Sequence, residues 1–161
     1  MSTTGTDNVV IREDVAPIPY PTDSANAAGT QFNQGDMLFM DTSVHYVKPL
    51  DTDAHAAYFV GVALDGSYLQ VYSDKKYADQ VPVGSKGIFR FKTTVGETIT
   101  DGNPVYIGAD AQTVSNVAAA GGGTSYPVGV TRLAPGVTSL TGAAGVFVEV
   151  HLNTRFPALN A

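Results

Sequence analysis

From Gln34 to Leu152 the chain breaks into short apolar runs separated by turn residues, and the runs repeat with a period of two. The segment 87–93 alternates most cleanly. Phe89 and Phe91 face one way and Arg90 and Lys92 the other, with Ile88 an apolar exception on the outer face. The segment 146–152 puts Val146, Val148, Val150 and Leu152 on one face and Phe147, Glu149 and His151 on the other. Residues 58–64 read as a core strand ended by the hairpin pair Asp65-Gly66. Met37-Leu38-Phe39-Met40, opened by Gly35-Asp36, is too apolar to alternate and is predicted to be buried on both faces. Further strands are predicted at 44–47, 68–72, 104–108, 113–114 and 127–132. Single helical turns fit 51–57 and 73–80, residues 83–87 read as a turn, and long loops are predicted at 118–124 and 133–145.

Residues 1–30 differ in character. Polar residues lead into Val9-Val10-Ile11, then Ala16-Pro17-Ile18-Pro19-Tyr20-Pro21. Alternate prolines hold their neighbours extended and remove three N–H donors, so 15–21 is predicted to run as polyproline or as an edge strand, never inside a sheet. An extended N-terminal arm over 1–30 and a β-barrel domain over 31–161 is the organisation expected. The arm either lies across a neighbouring molecule or is a solvated tail; its interleaved Val, Ile and Tyr suit the first.

One pattern occurs twice. Gly35-Asp36-Met37-Leu38-Phe39 precedes Phe59-Val60-Gly61-Val62, and Gly102-Asn103-Pro104-Val105-Tyr106 precedes Pro127-Val128-Gly129-Val130. The Gly-to-Gly offsets are 61 − 35 = 26 and 129 − 102 = 27. Two similar β-units pairing into a single barrel or sandwich is one explanation; chance likeness between β-segments is the other.

Composition sharpens the fold class. Twenty Val and 17 Thr against 8 Leu favour pleated surfaces over helices, so an all-β fold with little helix is expected. Charged residues make up 15%, below the ~25% of ordinary soluble domains, which leaves Thr, Ser, Asn and Gln to cover the outside. A net charge of −6 opposes binding to a phosphate backbone, so no nucleic-acid partner is expected. No apolar run approaches the ~18 residues of a membrane helix, and the N-terminus shows neither a basic n-region nor an apolar h-region, so neither a membrane partner nor a signal peptide is expected. Without cysteine there are no disulfides, thiolate metal sites or cysteine nucleophiles.

The candidate chemistry is thin. Asp51, Asp53 and His55 form a D-x-D-x-H run, but without the glycine and distal glutamate of a calcium loop it reads as caps and turn residues. His45, His55 and His151 stand on separate elements. Val83-Gly84-Ser85-Lys86-Gly87 has the wrong order for a phosphate loop and leads into a strand rather than a helix. No catalytic, cofactor-binding or metal residue is assigned, and no enzyme is expected. Five of the nine basic residues, Lys75, Lys76, Lys86, Arg90 and Lys92, fall between 75 and 92, a local positive patch suited either to docking an acidic protein surface or to solvent.

An ordered set of motifs carries a family resemblance: Gly35-Asp36-Met37-Leu38-Phe39, Phe59-Val60-Gly61-Val62-Ala63, 87–91, 95–99, 102–106, 128–130 and 146–152. In this order and over about three-quarters of the chain, the set is similar to the phage head-decoration, or capsid cement, proteins. The resemblance implies a small β-barrel or β-tulip, a homotrimer, contact with major capsid protein subunits, and a place on the outer capsid surface of a virion assembled in the host cytoplasm. It brings no catalytic residues and no cofactor. The contact residues expected are Val9, Ile11, Pro17, Ile18, Pro19 and Tyr20 in the arm, with Lys75, Lys76, Arg90 and Lys92 in the basic patch. The alternative expectation is a receptor- or glycan-binding β-module of a head fibre or tail, with Tyr46, Tyr68, Tyr72 and Tyr77 as stacking candidates. An enzyme built on Asp51 and His55 ranks last.

Overall fold

The computed structural model describes residues 9–12, 18–21, 33–43, 45–50, 55, 58–64, 80–108, 112–118, 127–141 and 146–153. Over these residues the chain is all-β, without helix. In chain order the strands are β1 (Val9–Arg12), β2 (Ile18–Pro21), β3 (Met37–Asp41), β4 (Tyr46–Pro49), β5 (Phe59–Ala63), β6 (Gln80–Gly84), β7 (Lys86–Thr93), β8 (Thr98–Thr100), β9 (Pro104–Ile107), β10 (Thr113–Ser115), β11 (Gly129–Arg132), β12 (Ser139–Thr141) and β13 (Phe147–Asn153).

Five of them close into a barrel. The order is β7-β10-β9-β11-β13, and β13 returns to β7 along the length of both strands. The pair β7–β10 is parallel and the others are antiparallel. Alternation places Phe89, Phe91, Val105, Ile107, Val148 and Val150 inside, where each is at most 2% exposed. Burying side chains of this size contributes roughly 1.5–3 kcal/mol apiece before chain entropy is counted.

Besides the small β12–β8 pair, a second large sheet is ordered β2-β6-β5-β3-β4, all antiparallel, and β2 lies against β4. It curls around its own cluster of Leu38, Val47, Ala63, Val81 and Val83, with Tyr20, Met40 and Val60 at the margin. Four of the barrel's five pairings recur in it, with β2 matching β7, β3 matching β9, β4 matching β10, β5 matching β11 and β6 matching β13; the fifth does not, since β2 and β4 touch without pairing as β7 and β10 do.

The match extends to single bonds. Gly35 N–H donates to Ala63 O at 2.8 Å, and Gly102 N–H donates to Thr131 O at 2.9 Å. Ala63 N–H reaches Asp36 O at 2.8 Å, as Thr131 N–H reaches Asn103 O at 3.0 Å. Leu38 stands opposite Gly61 and Val105 opposite Gly129. Both of those glycines are forced by close approach. A Cβ on Gly61 would meet Gly84 O at 2.5 Å, and one on Gly129 would meet His151 O at 2.5 Å. The two non-glycine residues with positive φ among those described, His45 at 61° and Gln112 at 63°, occupy the same hairpin position in the two units. The twofold pattern in the sequence is therefore a structural duplication. Of the two explanations, pairing of two similar β-units is the one that fits, since they share one apolar cluster; the barrel itself, however, is closed by β7, β10, β9, β11 and β13 alone, and the first unit curls beside it.

The units are joined by the second face of β3 and β5. Met37, Phe39, Leu50, Phe59 and Val62 share one apolar cluster with the barrel interior. That is why β3 is buried on both sides: Leu38 serves its own unit and Met37 and Phe39 serve the other. Gln112, on the β9–β10 turn, clasps the junction. Its side-chain oxygen accepts from Met37 N–H at 2.6 Å, and its amide donates to Met37 O at 3.0 Å and Leu50 O at 2.9 Å.

Several local expectations shift. The strand expected at 44–47 runs over Tyr46–Pro49, because His45 takes the left-handed turn. The turn expected at 83–87 shrinks to Ser85 between β6 and β7. The loop expected at 133–145 contains β12, which pairs with β8 and packs Leu140 against the large cluster. Most of the stretches 51–57 and 73–80, and all of 68–72, lie outside the described residues.

Candidate interaction surface

The arm expected over 1–30 contributes two edge strands to its own chain. β1, which carries Val9 and Ile11, pairs antiparallel with β7 and puts Val9 opposite Arg90. β2 pairs with β6, with Ile18 opposite Val83 and Tyr20 opposite Val81. It is an edge strand, as two prolines require; Pro19 and Pro21 are exposed and Ile18 and Tyr20 half-buried. Tyr20 packs against the cluster of the first unit. Pro17 lies outside the described residues, as do Lys75 and Lys76.

Arg90 and Lys92 share the outer face of β7, and β13 supplies the rest of that surface. Cross-strand register sets Phe147 beside Lys92, Glu149 beside Arg90 and His151 beside Ile88. The Arg90 guanidinium lies 5.2 Å from the Phe147 ring centre, a cation–π contact of about 0.5–1 kcal/mol at an exposed site. One strand further, Arg132 of β11 is opposite Glu149. Glu149 also meets His151 Nε2 at 3.2 Å, and Asp101 stands 4.0 Å from Arg132. The face is thus a mosaic of Arg90, Lys92 and Arg132 with Glu149 and Asp101 set among them, and less positive than the basic run suggests. Sequence reading missed Arg132 and Glu149. Their signal was the alternation of 146–152, which placed Glu149 outward without showing its neighbour.

Beside this mosaic an open groove of about 410 Å³ runs between Arg132, Leu133, Ala134, Pro135, Leu140, Phe147, Val148 and Glu149. Six of its eight lining residues are apolar and two, Arg132 and Glu149, are charged, a composition that suits protein contact.

The histidines stay apart. His45 is exposed on the β3–β4 turn, His55 stacks on Phe39 with ring centres 4.2 Å apart, and His151 is on the outer face of β13. Among the described residues no three of His, Asp and Glu gather to hold a metal, while Asp51 and Asp53 lie outside them. The Asp41 carboxylate is perturbed. The Lys48 ammonium, bonded at 2.7 Å, and the Ser43 hydroxyl and amide hold Asp41 well below the usual carboxylate range. This cluster fastens the β3–β4 hairpin.

No family model matches the chain, and no curated protein matches it at a significant level.

Proposed function

We propose that this chain is a non-enzymatic structural protein that binds the outer surface of a phage capsid, as a homotrimer, and stabilises the shell by bridging major capsid protein subunits. The observation that carries the reading is the ordered motif set from Gly35 to Leu152, whose members fall on the turns and strands of the two β-units. The mixed face of Arg90, Lys92, Arg132 and Glu149, with the apolar groove at its side, suits docking on another protein through complementary charge and a small apolar anchor. The edge strand β1 would add main-chain hydrogen bonds to a strand of a neighbour. A trimer touching several subunits gains avidity, since its later contacts are effectively intramolecular.

Co-sedimentation with purified expanded shells tests the reading. Saturable, stoichiometric binding is expected, accompanied by greater resistance of the shells to heat. Arg90→Glu combined with Lys92→Glu should weaken binding by about tenfold or more, and added salt should weaken the unmodified protein in the same direction. Deleting residues 1–16 removes β1 while sparing β2, and should reduce affinity without unfolding the first unit. No binding to any shell form, together with saturable binding on a glycan array, would replace the proposal with the glycan-binding alternative.

A further inference from the structure

Among the described residues β12 pairs with β8 and with no other strand, so its second edge is unmatched. The direction of its main-chain groups follows from one bond. Asp101 N–H donates to Thr138 O at 3.0 Å, which makes 101 and 138 a hydrogen-bonded pair. Antiparallel ladders alternate, so the next bonded pair is Ile99 with Leu140, and Ser139 and Thr141 turn their N–H and C=O groups away from β8. β8 obeys the same rule: Thr100, opposite Ser139, sends its N–H the other way, to Asn116 Oδ1 at 2.7 Å. Ser139 and Thr141 are both exposed, and neither has another main-chain partner among the described residues. Outward donors and acceptors at this spacing are a template for a further extended chain.

The side chains beside the edge specify what fits there. Leu140 packs against the large cluster and lines the groove together with Leu133, Pro135 and Phe147. On an added antiparallel strand, the residue opposite Leu140 would share its face, with Cβ atoms about 5 Å apart, and reach the same apolar side chains. Its two neighbours would stand on the outer face with Ser139 and Thr141 and meet water. The inner edge of β12 already carries this pattern. Thr98-Ile99-Thr100 is polar, apolar, polar, with Ile99 opposite Leu140 and only 1% exposed. The groove also borders Arg132 and Glu149, so a segment seated in it is continuous with the mixed charged face.

We infer that the second edge of β12 is a strand-addition site for an extended segment of a partner protein. The segment is polar, apolar, polar in sequence, and its middle side chain enters the groove. Main-chain bonds to Ser139 and Thr141 supply affinity, and the groove selects the apolar residue. For the partner's identity the inference rests on the function proposed above, which makes the segment part of a major capsid protein subunit. The site is distinct from the edge at β1, which belongs to the other sheet.

A blocked peptide, Lys-Thr-Ile-Thr-Lys, copies the β8 pattern and tests the site without shells. Titrated at millimolar concentration into the isotope-labelled full chain, it should shift the amide resonances of Ser139, Leu140 and Thr141. The same peptide with Asp in place of Ile should shift none of them. In co-sedimentation with expanded shells, Ser139→Pro and Thr141→Pro each delete an N–H that no bond inside the chain uses, and should weaken binding by about tenfold. Ser139→Ala and Thr141→Ala keep that N–H and should bind as the unmodified protein does. Unmoved resonances at Ser139 and Thr141 overturn the inference, whatever the shells do. So do folded proline variants that bind shells normally; should a proline variant not fold, the peptide titration decides. A peptide that moves these resonances, with a chain that binds no shell, keeps the strand-addition site and discards the capsid partner.

Discussion

The two five-stranded units share strand order, hairpin conformation and a glycine at a close crossing, yet they differ in what their equivalent residues touch. Val62 is sealed in the junction while Val130 meets solvent. Gln112 binds three main-chain atoms of the other unit, whereas His45, on the same left-handed backbone, is exposed. The barrel closes through β7 and β10; the first unit brings β2 only alongside β4. One backbone plan thus supports two fates for each position. Environment, not local conformation, decides which substitution is costly.

The sharpest way to break the comparison is an acidic substitution at paired positions. Val62→Asp places an unpartnered charge in the junction and should destabilise by at least about 3–5 kcal/mol in urea titration, or prevent folding outright. Val130→Asp should change the stability of a single chain by no more than about 0.5 kcal/mol. Equal effects would mean that the faces are not in different environments.

Next in size come the crossings, where the units should respond alike. Gly61→Ala and Gly129→Ala each drive a methyl group to 2.5 Å from a carbonyl oxygen. Each should cost about 2–4 kcal/mol, with Gly61→Ala the worse because its φ of +149° adds backbone strain. Tolerance of either alanine would remove the close approach from the account.

The hairpin positions should then diverge. Gln112→Gly relieves a left-handed side-chain residue but leaves Met37 N–H without its acceptor, for a net loss of about 1–2 kcal/mol. His45→Gly makes the same backbone exchange with nothing lost, and should stabilise by up to about 1 kcal/mol. Thermal melts of the two variants should move in opposite directions.

The smallest effect is one of pH. The folded chain holds Asp41 below its ordinary pKa, so the group stabilises the fold above the unfolded value of about 4, and that contribution disappears as acid protonates the folded carboxylate. Lys48→Met should flatten the acid limb of the stability curve slightly and leave neutral pH almost unchanged, since the pair is partly exposed. An unchanged acid limb would show that Lys48 does not set the Asp41 shift.

Much of this was written in the sequence, for identifiable reasons. Val and Thr abundance and the strict alternation of 87–93 and 146–152 leave a β-sheet as the fitting fold, and the burial of β7 and β13 follows that alternation. Met37-Leu38-Phe39 was legible as a strand buried on both faces, because nothing polar interrupts it. What covers its second face was not. Periodicity reports that a residue is inside, not which unit it is inside of. The repeated Gly-Asp and Gly-Asn openings betrayed the duplication but not that each copy curls separately. That depends on β2 and β6, whose prolines disguise them as linker. Gln112 gave no signal, since a polar residue in a turn looks the same whether it faces water or clasps a backbone. At the candidate surface the basic run located Arg90 and Lys92, while the nearby carboxylates emerged only once register brought β13 and β11 alongside.

Residue-resolved hydrogen exchange measures the central claim, that two copies of one β-unit form a single body sealed at the Met37–Gln112 junction, most directly. The Met37 and Leu50 amides should exchange as slowly as those of Phe89 and Val150, opening only with global unfolding, while Met40 and Val47, in the β3–β4 hairpin away from the junction, exchange faster. A Met37 amide that exchanges at the rate of an exposed turn, while Phe89 and Val150 stay protected, would contradict it.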